Sequence, residues 1–153
     1  MSAILVVDDE SAMRALYGRM LLAEGYLPLE ATTADEALEI LARHQDIPVV
    51  IADLQMPGHG GEWLIDRIRE QFPHVAVILA TANQSVPGTV TLQPSVANYI
   101  VKPVSGAQLL AALKNALRWR EQSKTQASDE SDPIEAFLDT KLNRNHGNGG
   151  RRE

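Results

Sequence analysis

Ile4-Leu5-Val6-Val7-Asp8-Asp9-Glu10 is four consecutive apolar residues that stop on an acidic triplet. A half-buried strand alternates apolar and polar residues, whereas a strand covered on both faces reads as an unbroken run of Val, Ile and Leu. The same run recurs at Val49-Val50-Ile51-Ala52, which ends on Asp53, and at Val75-Ala76-Val77-Ile78-Leu79-Ala80, which ends on Thr81. Tyr99-Ile100-Val101, ending on Lys102, and Tyr26-Leu27-Pro28-Leu29 are shorter candidates. Pro28 has no N–H to give to a ladder, so its strand belongs at a sheet edge.

Helical spacing fills the intervals. Met13, Leu16, Tyr17 and Met20 form one stripe, Ala37, Leu38 and Leu41 a second, and Leu64, Ile65 and Ile68 a third. Leu109, Leu110, Leu113, Ala116 and Leu117 form the last. Thr33–Glu36 and Ser105–Gln108 have capping-box spacing, Gly60-Gly61 opens the third helix, and Pro73 follows it. Strand and helix therefore alternate to about residue 121, the pattern of an α/β domain with a parallel sheet. One interval breaks it. Between Ala80 and Tyr99, the segment Ser85–Pro94 holds Pro87, Gly88 and Pro94 among β-branched residues, which predicts a short or distorted fourth helix within 83–97.

Composition bounds the rest. The 153 residues suffice for one domain, assigned to 1–122, and a polar tail, 123–153, in which Pro133–Asp139 suggests a short helix near 133–143. That tail is too short for a DNA-binding output domain with its own core, so the expected readout is a partner protein. The absence of cysteine excludes disulfides and thiolate chemistry. A net charge of -6 speaks against direct nucleic-acid binding. No apolar run approaches the roughly 20 residues of a membrane span, and the N-terminus lacks a basic signal-peptide region, so a cytoplasmic protein without membrane contact is expected.

In a parallel sheet the carboxyl ends of all strands meet along one edge, where ligands of open α/β sheets bind. Asp8, Asp9, Asp53, Thr81 and Lys102 would then share one site. Each alone is an ordinary turn, cap or surface residue; together, at the ends of separate strands, they are hard to obtain by chance. Three close carboxylates repel one another unless a cation offsets them, and hard oxygen ligands favour Mg²⁺. Asp53 is then a carboxylate nucleophile for phosphorus, with Thr81 and Lys102 stabilising the phosphoryl oxygens.

Val6-Val7-Asp8-Asp9-Glu10, Asp53-Leu54-Gln55-Met56-Pro57 with Gly61, Ala80-Thr81-Ala82 and Tyr99-Ile100-Val101-Lys102-Pro103 resemble the response-regulator receiver family in motif and spacing, from residue 3 to about 120. The resemblance implies a flavodoxin-like, doubly wound sheet of five parallel strands in the order 2-1-3-4-5. It implies phosphorylation of Asp53 by a histidine kinase or phosphotransfer protein, with Mg²⁺ held by Asp9, Asp53 and the Gln55 carbonyl and supported by Asp8. Thr81 and Lys102 would contact the phosphoryl group, Thr81 and Tyr99 would switch, and Gln55 and Asn83 would flank the phosphoryl group and set its lifetime. The Lys102-Pro103 bond is often cis in this family. Such a domain catalyses only its own phosphorylation and dephosphorylation, and signals through protein contacts, a homodimer among them.

His59 and Gly60 depart from the family, which usually has an apolar residue and then Asp or Asn there; a looser loop with an exposed histidine is expected. The Pro87–Pro94 stretch departs more, on the family's activation and dimerisation surface. An alternative reading is a receiver-like interaction module independent of phosphorylation. A metal-dependent phosphatase ranks lower, because its usual second Asp is replaced by Gln55.

Overall fold

The computed structural model describes residues 2–82 and 96–129, with side chains to 122. Within them lie β1 (Ala3–Val7), α1 (Ser11–Ala23), β2 (Leu27–Ala31), α2 (Ala34–Arg43), β3 (Val49–Asp53), α3 (Gly61–Gln71), β4 (Ala76–Thr81), β5 (Val96–Val101) and, after it, α4 (Gly106–Asp129). All strand pairs are parallel, in the order β2-β1-β3-β4-β5. This is the flavodoxin-like order, with the Pro28 strand at an edge.

The apolar runs are continuous because successive side chains of a strand serve opposite faces. Leu5, Val7, Val50, Ala52, Val77 and Leu79 pack with Ala37, Leu41, Leu64, Ile65 and Ile68 of α2 and α3. Ile4, Val6, Val49, Ile51, Ile78 and Ile100 pack with Tyr17 and Leu21 of α1 and with Leu109, Leu113 and Ala116 of α4. A one-residue slip would exchange the two sets, so this alternation also pins the register.

Helix starts follow local chemistry, with one difference. Ser105 and Gln108 cap each other as expected, both bonds at 3.1 Å. At α2 the Thr33 hydroxyl accepts from the Glu36 N–H at 3.1 Å, but the Glu36 carboxylate reaches one residue further back, to the N–H and hydroxyl of Thr32 at 2.7 and 3.0 Å. Those bonds, that to the Thr32 N–H foremost, hold the Glu36 pKa below the ordinary value.

β5 begins three residues before the expected Tyr99, and its pairing with β4 shifts register between Val77 and Ile78. The segment expected to be distorted lies outside the described residues at 83–95, as does the helix expected near 133–143. The chain divides into two units at Arg120 and Glu121, and the helical residues of α4 end at Asp129. Among the described residues no helix is long and apolar enough to cross a membrane.

Candidate functional site

Register assembles the site before any side chain is considered. Val7 pairs with Ala52, so the next residues, Asp8 and Asp53, leave the sheet side by side. Thr81 pairs with Val101, and the Lys102 N–H donates to the Thr81 carbonyl at 2.7 Å. Asp8, Asp53 and Thr81 are the buried polar side chains among the described residues.

Lys102 is the hub. Its ammonium donates to Asp8 Oδ2 at 3.1 Å and to Asp53 Oδ2 at 3.2 Å. The remaining oxygens are turned to backbone: Asp8 Oδ1 accepts from the Glu10 N–H at 2.9 Å, and Asp53 Oδ1 from the Gln55 N–H at 3.1 Å. Asp9 is exposed and completes a triad in which one carboxylate oxygen from each residue lies within 4.8 Å of the other two. Trans ligands of octahedral Mg²⁺ stand about 4.2 Å apart, so this all-oxygen donor set fits one hard divalent cation with small side-chain adjustments.

The charges do not balance within the pocket. Burial raises the Asp53 pKa, and neither the Gln55 N–H nor Lys102 fully offsets it; the Asp8 charge adds to the rise. Burial pulls the Lys102 pKa down, but the hydrogen bond to Asp8 and the Asp53 and Asp8 charges outweigh it, leaving the ammonium held above its ordinary value. Tyr17, buried on α1 with no hydrogen-bond partner for its hydroxyl among the described residues, is also pushed up, first by burial and then by Asp8 and Asp53.

A raised Asp53 pKa means that the folded state binds that proton more tightly than the unfolded chain. Its favourable contribution is present below the ordinary Asp value and lost as pH rises through the folded value. Metal-free Asp53→Asn should therefore be more stable than the parent at pH 7, because a desolvated charge is removed while Lys102 keeps Asp8 as its partner. The gap should close as pH falls towards about 4. Thermal melts across pH in chelator check this; a variant less stable at pH 7 would contradict it.

Of the other expected residues, Gln55 is exposed, with its backbone turned to Asp53. Tyr99 is 38% exposed on β5, and Asn83 lies outside the described residues. The Lys102-Pro103 bond is cis. His59 is an exposed loop residue, as expected; its ring stacks on Trp63 at 3.7 Å, and Nδ1 stands 3.2 Å from Asp35 Oδ1. With Arg67 over the indole at 5.8 Å, three planar groups spaced four residues apart tie the loop after Asp53 to α3, and Asp35 ties it to α2. A residue the sequence reading passed over is Arg14, which donates to the Asp8 carbonyl at 2.7 Å and to Glu30 at 2.9 Å. Its signal was a basic residue one helical turn beyond Asp8-Asp9-Glu10.

The family model described as "Response regulator receiver domain" matches residues 4–114. The chain belongs to the response-regulator receiver family. The Pseudomonas aeruginosa "Response regulator protein FleR" is 36% identical over 108 residues, covering 70% of this chain; the chain spans only 23% of FleR. A receiver-domain crystal structure from Clostridium thermocellum, 30% identical, superposes with a TM-score of 0.73 over 80% of this chain and 98% of that one. The Thermotoga maritima response regulator TrrA, in complex with Mg²⁺ and BeF, is 31% identical with a TM-score of 0.69, over 76% of this chain and all of TrrA. This receiver is thus the receiver domain of a two-component response regulator, carrying a clustered acidic pocket.

Proposed function

We propose that this receiver accepts a phosphoryl group on Asp53 from a histidine kinase or phosphotransfer protein in a Mg²⁺-dependent reaction, and signals through protein contacts in the cytoplasm. The observation that carries the reading is the meeting of Asp8, Asp9 and Asp53 with Lys102 at the carboxyl ends of three strands. Asp9, Asp53 and the Gln55 carbonyl would hold the ion, with Asp8 in support. The ion supplies positive charge that offsets the carboxylates and the phosphoryl oxygens.

The protein's own part is positioning and electrostatics. Asp53 contributes an oxygen to phosphorus as the bond from phosphorus to the donor nitrogen breaks, and the donor leaves with that electron pair. Lys102 already hydrogen-bonds Asp53 and Asp8, and it can follow the charge from carboxylate to phosphoryl oxygen. Thr81 offers a hydroxyl from the adjacent strand end, and Tyr99 lies on the strand beyond it, which suits both to a switch. By family resemblance Gln55 and Asn83 are assigned to flank the phosphoryl group and govern water access; Asn83 lies outside the described residues. Residues 1–122 form the receiver and 123–153 the extension. Catalysis is confined to the domain's own phosphorylation and dephosphorylation, and phosphorylation shifts a surface equilibrium read by a downstream protein or a second copy of the chain.

Acetyl phosphate with Mg²⁺, followed by intact-protein mass spectrometry, tests the reading. One phosphoryl group should be gained by the parent protein, none by Asp53→Asn, and none in chelator. Equal gain by Asp53→Asn would refute it.

A further inference from the structure

Arg14 stands outside the set that touches a phosphoryl group, yet it grips that set from behind. It lies on α1 with its side chain only 14% exposed. Nη1 donates to the carbonyl oxygen of Asp8 at 2.7 Å, and Nε donates to Glu30 Oε1 on β2 at 2.9 Å. β1 ends at Val7, and the Asp8 N–H still bonds the Ala31 carbonyl at 3.2 Å, so the ladder stops within Asp8 itself. Its carbonyl is held by Arg14 instead. The peptide plane is rigid, so holding the oxygen of the 8–9 peptide orients the N–H and Cα of Asp9. A guanidinium can do this while braced by a second partner, because its donors form a fixed fork; an ammonium has no such fork. Glu30 is 53% exposed, so its ion pair adds little stability. Its effect is on direction.

We propose that Arg14, braced by Glu30, is a positioning residue that sets the turn Asp8–Glu10 so that Asp8 and Asp9 converge with Asp53 on one divalent cation. This rests on the Mg²⁺ reading above, and it has a signature that charge alone reverses. Arg14 is a cation beside an acidic pocket, so a field effect alone would make its removal tighten Mg²⁺ binding. Loss of positioning weakens it.

Titration calorimetry with Mg²⁺ alone, together with NMR hydrogen exchange of the Glu10 amide in metal-free protein, separates these. The Glu10 N–H bonds the Asp8 carboxylate, so its exchange reports whether the turn is held without any metal. Arg14→Met should bind Mg²⁺ about tenfold more weakly, the scale of lost outer-shell support for a ligand. Arg14→Lys should fall between Arg14→Met and the parent. Glu30→Gln keeps Arg14 in place and should cost about threefold, which guards against a folding defect in the Arg14 variants. Glu10 exchange should accelerate about tenfold in Arg14→Met. Unchanged or tighter Mg²⁺ binding in Arg14→Met overturns the proposal, as does unchanged Glu10 exchange. Should the parent itself fail to bind Mg²⁺, the functional reading falls, and Glu10 exchange still decides whether Arg14 holds the turn.

Discussion

Lys102→Met should lose about 3 kcal/mol of metal-free stability at pH 7, the usual scale for removing one partner of a buried ion pair. The Lys102 side chain is 13% exposed, Asp8 1% and Asp53 11%, so water cannot take over the ammonium's role cheaply. The substitution leaves Asp8 and Asp53 charged, adjacent and desolvated. Two conditions should return part of the loss. Lowering the pH should do so, because Asp53, already raised by burial, loses the lowering effect of Lys102, and its protonation removes the repulsion. Mg²⁺ should do so by replacing the missing charge. Adding Asp53→Asn should also recover stability, giving a non-additive cycle. Urea unfolding of the four proteins, with and without Mg²⁺, measures all of this. Additive effects insensitive to pH would show that Lys102 is merely packed there.

Gly61→Ala should cost about 3 kcal/mol and slow phosphorylation of Asp53. A Cβ at Gly61 would meet the Asp53 carbonyl oxygen at 2.7 Å and Leu54 Cα at 2.8 Å. Both are backbone atoms, so no flexible side-chain tip can yield, and the upper range of overpacking costs applies. The strain would fall on the peptide unit that aims Asp53. Gly18, inside α1, is the control: its nearest neighbour would be Pro28 Cγ at 3.9 Å, an ordinary contact. Gly18→Ala should gain up to about 1 kcal/mol from helix propensity. Equal responses at the two glycines, in denaturant unfolding and acetyl phosphate labelling, would remove the steric account.

The sheet was legible in the sequence because its evidence is redundant. Three continuous apolar runs, each ending on a polar residue, permit little besides buried parallel strands, and Pro28 placed its own strand at the edge. Asp8, Asp53, Thr81 and Lys102 converge because each ends a strand, a property of order along the chain that needs no coordinates. What escaped was information carried by pairs distant in sequence. Arg14 matters through Glu30 and the Asp8 carbonyl, and neither partner is marked by periodicity. His59 is exposed as read, and its contact with Asp35 escaped because the two meet only after α2 and α3 pack side by side. The start of β5 was hidden because Val96-Ala97-Asn98 is short and mixed in polarity. α4 overran the expected boundary because a polar stretch such as Glu121–Asp129 shows no apolar stripe even where the backbone stays helical.

The His59–Trp63 stack gives the domain a spectroscopic handle. An indole lying 3.7 Å from an imidazole, with planes 9° apart, has an emission that depends on whether the two rings stay in register. His59 belongs to the segment that leaves Asp53, while Trp63 is anchored in α3, so displacement of the segment separates emitter from neighbour. The protein's other tryptophan, Trp119, sits on a different helix and provides an internal reference. The chain thus carries a native fluorescence gauge that begins six residues after Asp53, readable without attaching a dye.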